Sequence, residues 1–202
     1  MNMQSENLIE ARGLGYHYTA DEERSVYPAL SGIDLNLRSG EYLALIGPNG
    51  SGKTTLLKLF NALLAPSEGE VLVEGISTVE EKQIPHIRRT CGMIFSNPDN
   101  QLVATTVEED IAFGLENLAL PSAEIRQRVV AVAEKLKLQK LLLNPPHLLS
   151  GGEKQRVAIA GILAMHPKCI LMDEPTAMLD PAGRREVLET VATLNREENI
   201  AI

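Results

Sequence analysis

GPNGSGKT, from Gly47 to Thr54, follows directly on the apolar run Tyr42, Leu43, Ala44, Leu45 and Ile46. Gly47, Gly50 and Gly52 open dihedrals closed to residues with a Cβ, so successive N–H groups turn into one hollow and cradle an anion with several oxygens. Lys53 brings a mobile positive charge to the outer oxygens, and Thr54 offers a hydroxyl to a magnesium ion. Leu56, Leu57, Leu59 and Phe60 open a helix whose N-terminus favours negative charge. The order strand, loop, helix predicts a strand over Tyr42 to Ile46, a phosphate cup, and a helix to about Leu64.

Upstream, Leu8 to Arg12 and the series Ile33, Leu35, Leu37 alternate with period two, which predicts strands joined through a turn-prone polar loop from Thr19 to Ser25. Downstream, the turn Pro66 to Gly69 leads to a strand from Val71 to Glu74. The apolar run Cys91 to Phe95 then ends in a loop-forming cluster, Ser96 to Gln101. Thr106 and Glu109 have the spacing of a capping box, for a helix to about Asn117. Pro121 and Ser122 open a second helix, in which Ile125, Val129, Val132, Ala133 and Leu136 share one face. LSGGEKQR, Leu149 to Arg156, repeats the capping-box spacing at Ser150 and Glu153, and Pro167 ends the helix that follows. Cys169 to Met172 reads as a strand buried on both faces of a parallel sheet, delivering Asp173 and Glu174 at its C-terminal end. Asp180 caps a last helix that starts at Pro181 and runs to about Arg196, and Ile200, Ala201 and Ile202 begin another strand.

The 202 residues, 44% of them hydrophobic, suffice for a real core in a single α/β domain. A net charge of -8 argues against a broad nucleic-acid footprint, since backbone binding wants a basic face. Cys91 and Cys169 lie far apart in sequence within apolar runs, which suggests packing residues in a reducing compartment rather than a disulfide or metal site. No apolar run approaches the roughly 20 residues of a membrane span. The polar start, Met1 to Asn7, is no signal peptide.

Ligands of open α/β sheets sit at the carboxyl ends of strands, where both the phosphate turn and the Asp173–Glu174 pair are expected. Asp173 is then placed to hold magnesium, directly or through water, and Glu174 to orient a water for in-line attack on a terminal phosphorus. Ser150, Gly151 and Gly152 form a second helix start with phosphate-ready N–H groups. Either the chain holds two ligands, or one ligand is shared between two chains.

GPNGSGKT, LSGGEKQR, ILMDEPT from Ile170 to Thr176, and AMLD from Ala177 to Asp180 resemble, in order and spacing, the nucleotide-binding domain of ATP-binding-cassette (ABC) transporters. LSGGE discriminates, since kinases and GTPases with a phosphate turn lack it. The resemblance implies a P-loop NTPase core with a mostly parallel sheet, an N-terminal antiparallel β subdomain and a helical subdomain. It divides the chain into a core with β subdomain over about 1–95 and 165–202, and a helical subdomain over about 96–164. It implies ATP and Mg2+ as ligands, bound by Gly47, Pro48, Asn49, Gly50, Ser51, Gly52, Lys53 and Thr54, with Thr55 at the α-phosphate and Tyr18 stacked on adenine. Thr54 and Asp173 would hold the metal, and Glu174 would be catalytic. Two such domains pair head to tail, so Ser150, Gly151, Gly152 and Glu153 would meet the partner's ATP, with Asp180 coupling the two sites. NPDNQL, Asn97 to Leu102, followed by TVEEDIAFGLEN is similar to the ATPase subunits of energy-coupling-factor importers of cobalt, nickel and vitamins. That likeness gives Ser96 and Gln101 a coupling role. It implies a second ATPase subunit, identical or paralogous, a transmembrane coupling subunit, a substrate-binding membrane subunit, no nucleic acid, and a peripheral place on the cytoplasmic face of the membrane. A soluble cassette ATPase acting on nucleic acid or ribosomes is the alternative.

Two departures stand out. Ser96 occupies a place usually taken by glutamine, and its shorter hydroxyl predicts weakened hydrolysis with retained ATP binding. The family's switch histidine follows the strand beginning at Ile200, and none of His17, His86, His147 or His166 occupies that place, so low turnover is expected of the sequence as it stands.

Overall fold

The computed structural model describes residues 7–19 and 26–202. Two long strands, β1 (Asn7–Thr19) and β2 (Val26–Arg38), pair antiparallel; most of the polar loop expected between them, and most of the N-terminal stretch, lie outside the described residues. With β3 (Glu68–Val73) and β4 (Ile76–Ser77) they form an antiparallel sheet in the order β2-β1-β3-β4. The period-two alternation holds: Leu37 is buried, Ile33 and Leu35 are half-buried, and the intervening Asp34 and Asn36 are exposed. A second sheet pairs β5 (Cys91–Ile94) with β6 (Cys169–Met172) in parallel, and Ala201 extends it as a bridge to Cys169.

Among the described residues six α-helices surround these sheets: α1 (Lys53–Phe60), α2 (Ile84–Thr90), α3 (Val107–Asn117), α4 (Ser122–Lys135), α5 (Gly151–Ala164) and α6 (Pro181–Glu198). Where the sequence carries a cap, the helix begins there. Thr106 and Ser150 each form a complete capping box, with Glu109 and Glu153, and the Asp180 side chain accepts from Gly183 N at 3.0 Å. α1 is shorter than the apolar pattern predicts, closing at Asn61 instead of Leu64. α2 has no clear periodic signal.

The parallel sheet divides the hydrophobic core. Ile94 and Ile170 face a helical cluster with Ile111, Leu115, Ile159 and Val187, whereas Cys91, Met93, Cys169 and Leu171 face a cluster with Ile9, Leu14, Leu59 and Val71. The strand β6 is thus apolar on both faces, as its unbroken sequence run requires.

The expected strand Tyr42 to Ile46 is the exception. This run has no regular strand conformation, and Ile46 is 95% exposed. A strand exists through its ladder, and the ladder bonds of this run go to one residue: Leu43 N donates to Ile202 O at 2.8 Å, and Ile202 N donates to Glu41 O at 2.9 Å. Residues 44–46 lie beyond that single pairing.

The two cysteines, distant in sequence, are direct partners in the β5–β6 register. Both are free and buried.

Candidate functional site

Within the phosphate turn Ser51 N donates to Pro48 O at 3.3 Å, and the glycines set the course of the rest of the loop. Gly50 and Gly52 have φ of 80° and 89°, and Gly52, the N-cap of α1, supplies no side-chain hydrogen bond. The first turn of α1 holds no acidic residue, so its unpaired donors and positive dipole end remain available to an anion. Lys53 arches back over the loop, its Nζ donating to Gly47 O at 2.9 Å and Pro48 O at 3.0 Å. The ammonium is thereby held at the mouth of the hollow.

Two strands from the parallel sheet supply the opposing wall. Asp173 N donates to Ile94 O at 2.9 Å, which carries the β5–β6 ladder one residue past Met172 and fixes the aspartate at its end. The Thr54 hydroxyl donates to Asp173 Oδ1 at 2.8 Å and lies 3.0 Å from Oδ2. Helix α1 and strand β6, 119 residues apart in sequence, therefore present a hydroxyl and a carboxylate at one point. That pair is the hard oxygen donor set that Mg2+ takes. Glu174 follows with a left-handed backbone, φ 48°, and an exposed side chain. A cavity of about 500 Å3 brings together Tyr18, the loop from Asn49 through Thr55, Ser96, Asp173 and Glu174. Pro28 and Ala29 of β2 complete its wall, with no signal in the sequence to announce them. An apolar cavity of about 280 Å3, lined by Leu43, Leu45, Leu57 and Leu171, adjoins it at Lys53, Asp173 and Glu174.

Tyr18 reaches this cavity from β1. Its ring meets Tyr16 edge-on, with centroids 4.9 Å apart and planes at 84°, and its hydroxyl lies 3.1 Å from Thr55 Oγ1. Ser96 lines the cavity, whereas Gln101 does not: its Oε1 accepts from Phe95 N at 2.8 Å and its Nε2 lies 3.5 Å from Met93 O. Gln101 thus stiffens the exit of β5.

Ser150, Gly151, Gly152 and Glu153 line neither of these two cavities. Ser150 and Gly151 are exposed at the start of α5, while Gly152 is buried where α5 meets α6. A Cβ on Gly152 would come within 3.1 Å of Gly183 Cα, so the second glycine of the cluster serves helix packing. The Glu153 carboxylate accepts from Ser150 N at 2.8 Å and from Ser150 Oγ at 2.7 Å. These bonds, the side-chain one foremost, hold its pKa below the ordinary carboxylate value against a small opposing effect of burial. Lys154 pairs with Asp99 at 2.6 Å, linking α5 to the turn that follows Ser96. Arg156 pairs with Glu186, linking α5 to α6.

Residues 30–177 match the family described as ABC transporter. An energy-coupling factor transporter ATP-binding protein of Clostridioides difficile (strain 630) is 50% identical over 98% of this chain and 70% of its own length. The solved structure of cbiO1 from Clostridium perfringens, described as part of the ABC transporter complex cbiONQ, superposes with a TM-score of 0.86 at 38% identity, covering 98% of this chain and 77% of that one. A dimeric ATP-binding cassette in a post-hydrolysis state, bound to ADP and Pi, superposes with a TM-score of 0.83 at 31% identity, covering 96% of this chain and 85% of that one.

Proposed function

We propose that this chain, which belongs to the ABC transporter family, binds and hydrolyses ATP at a head-to-tail interface between two cassettes and so powers import of a metal ion or vitamin through separate membrane subunits. The observation that carries the reading is the Thr54–Asp173 hydrogen bond, which joins the phosphate turn to a strand end whose next residue is Glu174. The turn's N–H groups and Lys53 take the phosphates, Tyr18 stacks on the adenine, and Thr55 meets the α-phosphate. Thr54 and Asp173 hold Mg2+, which neutralises charge developing on the phosphate oxygens when bound. Glu174 orients the attacking water and accepts its proton.

Ser150, Gly151 and Gly152 of a second copy or a paralogue close the same phosphates from the other side, with Asp180 between the two sites. Support comes from the exposure of Ser150 and Gly151 at a helix start outside their own chain's phosphate cavity, and from the dimeric state of a solved relative. Ser96 and Gln101 pass the nucleotide state to a transmembrane coupling subunit and its substrate-binding companion. The ATPase then sits peripherally on the cytoplasmic face of the membrane; among the described residues no helix is long and apolar enough to cross one. The helical subdomain, about 96–164, moves against the core of about 1–95 and 165–202. The alternative of a soluble cassette ATPase acting on nucleic acid finds no support in the relatives above or in the acidic charge.

Glu174→Gln tests the reading. Hydrolysis should fall on the order of 100-fold or more while ATP binding persists, and an ATP-bound pair of chains should accumulate on a sizing column. A chain that stays monomeric at saturating ATP overturns the shared site. Ser96→Gln should raise turnover without changing ATP affinity, and unchanged turnover overturns the weakened hydrolysis expected from the shorter serine side chain.

A further inference from the structure

We infer that Cys91 and Cys169 form a latent disulfide site, which a small-molecule disulfide closes while the chain remains folded, tying strand β5 to strand β6. The inference stands apart from ATP chemistry, because neither thiol lines the phosphate cavity.

The two residues are opposite one another in a parallel ladder, and their side chains enter the same core cluster. Neighbouring strands lie roughly 4.8 Å apart. That spacing falls within the range of about 4.4–6.8 Å between Cα atoms that a disulfide spans without moving the backbone. Both cysteines are 0% exposed, so neither is presented to a second chain, and each has the other as its nearest reaction partner. Among the described residues no group of three or more His, Cys, Asp and Glu side chains is placed to hold a metal, so the two thiols stand as a pair.

Their quiet state has a physical cause. The neighbouring Cys169 side chain, burial, and the negative charge of Glu74 push the Cys91 pKa well above the ordinary thiol value, which withholds the nucleophilic thiolate. Closure therefore waits on brief opening of the strand starts. There Thr90 and Lys168 precede the two cysteines and both side chains are tied to Glu74. In the reaction one thiolate attacks the oxidant's sulfur, the oxidant's S–S bond breaks, and one thiol leaves. The second cysteine then displaces the other half of the oxidant, forming the Cys91–Cys169 S–S bond. Two protein thiols have lost two electrons and two protons, and the oxidant has become two thiols.

The test is incubation of the purified, folded protein with dithiodipyridine, a small aromatic disulfide. The expected result is release of two thiopyridones per chain with no adduct retained, and a monomer whose mass is lower by two hydrogens. Trypsin should then yield the peptides 90–126 and 169–184 joined until a reductant is added. The crosslink closes a long loop, so the unfolding midpoint should rise by roughly 5 °C and return on reduction. Cys91→Ala and Cys169→Ala should each retain one aromatic group and give no joined peptide. Persistent adducts on both cysteines of the wild-type chain overturn the inference. Joined peptides that form only in urea overturn it as well.

Discussion

The starts of α1 and α5 are both glycine-rich, both follow a loop, and both face solvent, yet they solve the problem of a helix's unpaired N–H groups in opposite ways. At α1 the cap is Gly52, with φ 89° and no side chain to bond its own helix, so the donors stay free. At α5 the cap is Ser150, whose hydroxyl and N–H both engage Glu153 in a reciprocal box. The first start is open toward its own chain's cavity; the second satisfies part of itself, and in the proposed function its outer N–H groups would meet a ligand brought by a second chain.

Replacing Gly52 tests the first half of this contrast most severely. A Cβ there would lie 2.7 Å from Ala29 O and 2.7 Å from Leu30 Cδ2, in a left-handed backbone. Gly52→Ala should cost about 3 kcal/mol and lower the thermal midpoint by roughly 10 °C in a calorimetric scan. A midpoint unmoved within error would show that the loop adapts freely. Lys53→Ala removes charge without touching the core, so ATP affinity measured by calorimetric titration should fall about 10- to 100-fold with the fold intact. Ser150→Ala should destabilise the chain by about 1 kcal/mol in denaturant melts while ATP affinity of the monomer is unchanged. Equal losses of nucleotide affinity from Lys53→Ala and Ser150→Ala would erase the distinction between the two starts.

The smallest effect is the pH response of the α5 box. Glu153 has a folded pKa below its ordinary value of 4.5. A depressed carboxylate pKa contributes stability that is present above the unfolded value and is lost as pH falls through the lower, folded value. As pH falls from neutral into the acid range, wild type should lose slightly more stability than Glu153→Gln in parallel melts, a small difference because solvent screens this carboxylate. Superimposable pH profiles would mean that the glutamate is not bonded to Ser150 in solution.

Local chemistry was the legible part. The boxes at Thr106 and Ser150, the Asp180 cap, the doubly apolar run Cys169 to Met172 and the phosphate turn all appear where their residues indicate, because each depends on neighbours a few positions away. Tyr42 to Ile46 shows the limit of such reading. Apolar content there indicates a strand, but a strand requires a ladder, and its pairing is confined to Ile202. The backbone contacts of the Gln101 amide with Phe95 and Met93 are likewise not announced by the local pattern.

The sequence alone determined where the capped helices and the doubly apolar strand lie and where glycines open a left-handed turn, since capping, glycine dihedrals and hydrophobic period act over one or two turns of chain. Tertiary structure decided meetings of distant groups that no motif implied: Gly152 with Gly183, and Cys91 with Cys169. Those meetings depend on strand order and helix approach, which arise from burying two cores on opposite faces of one parallel sheet and leave no mark in the spacing of residues along the chain.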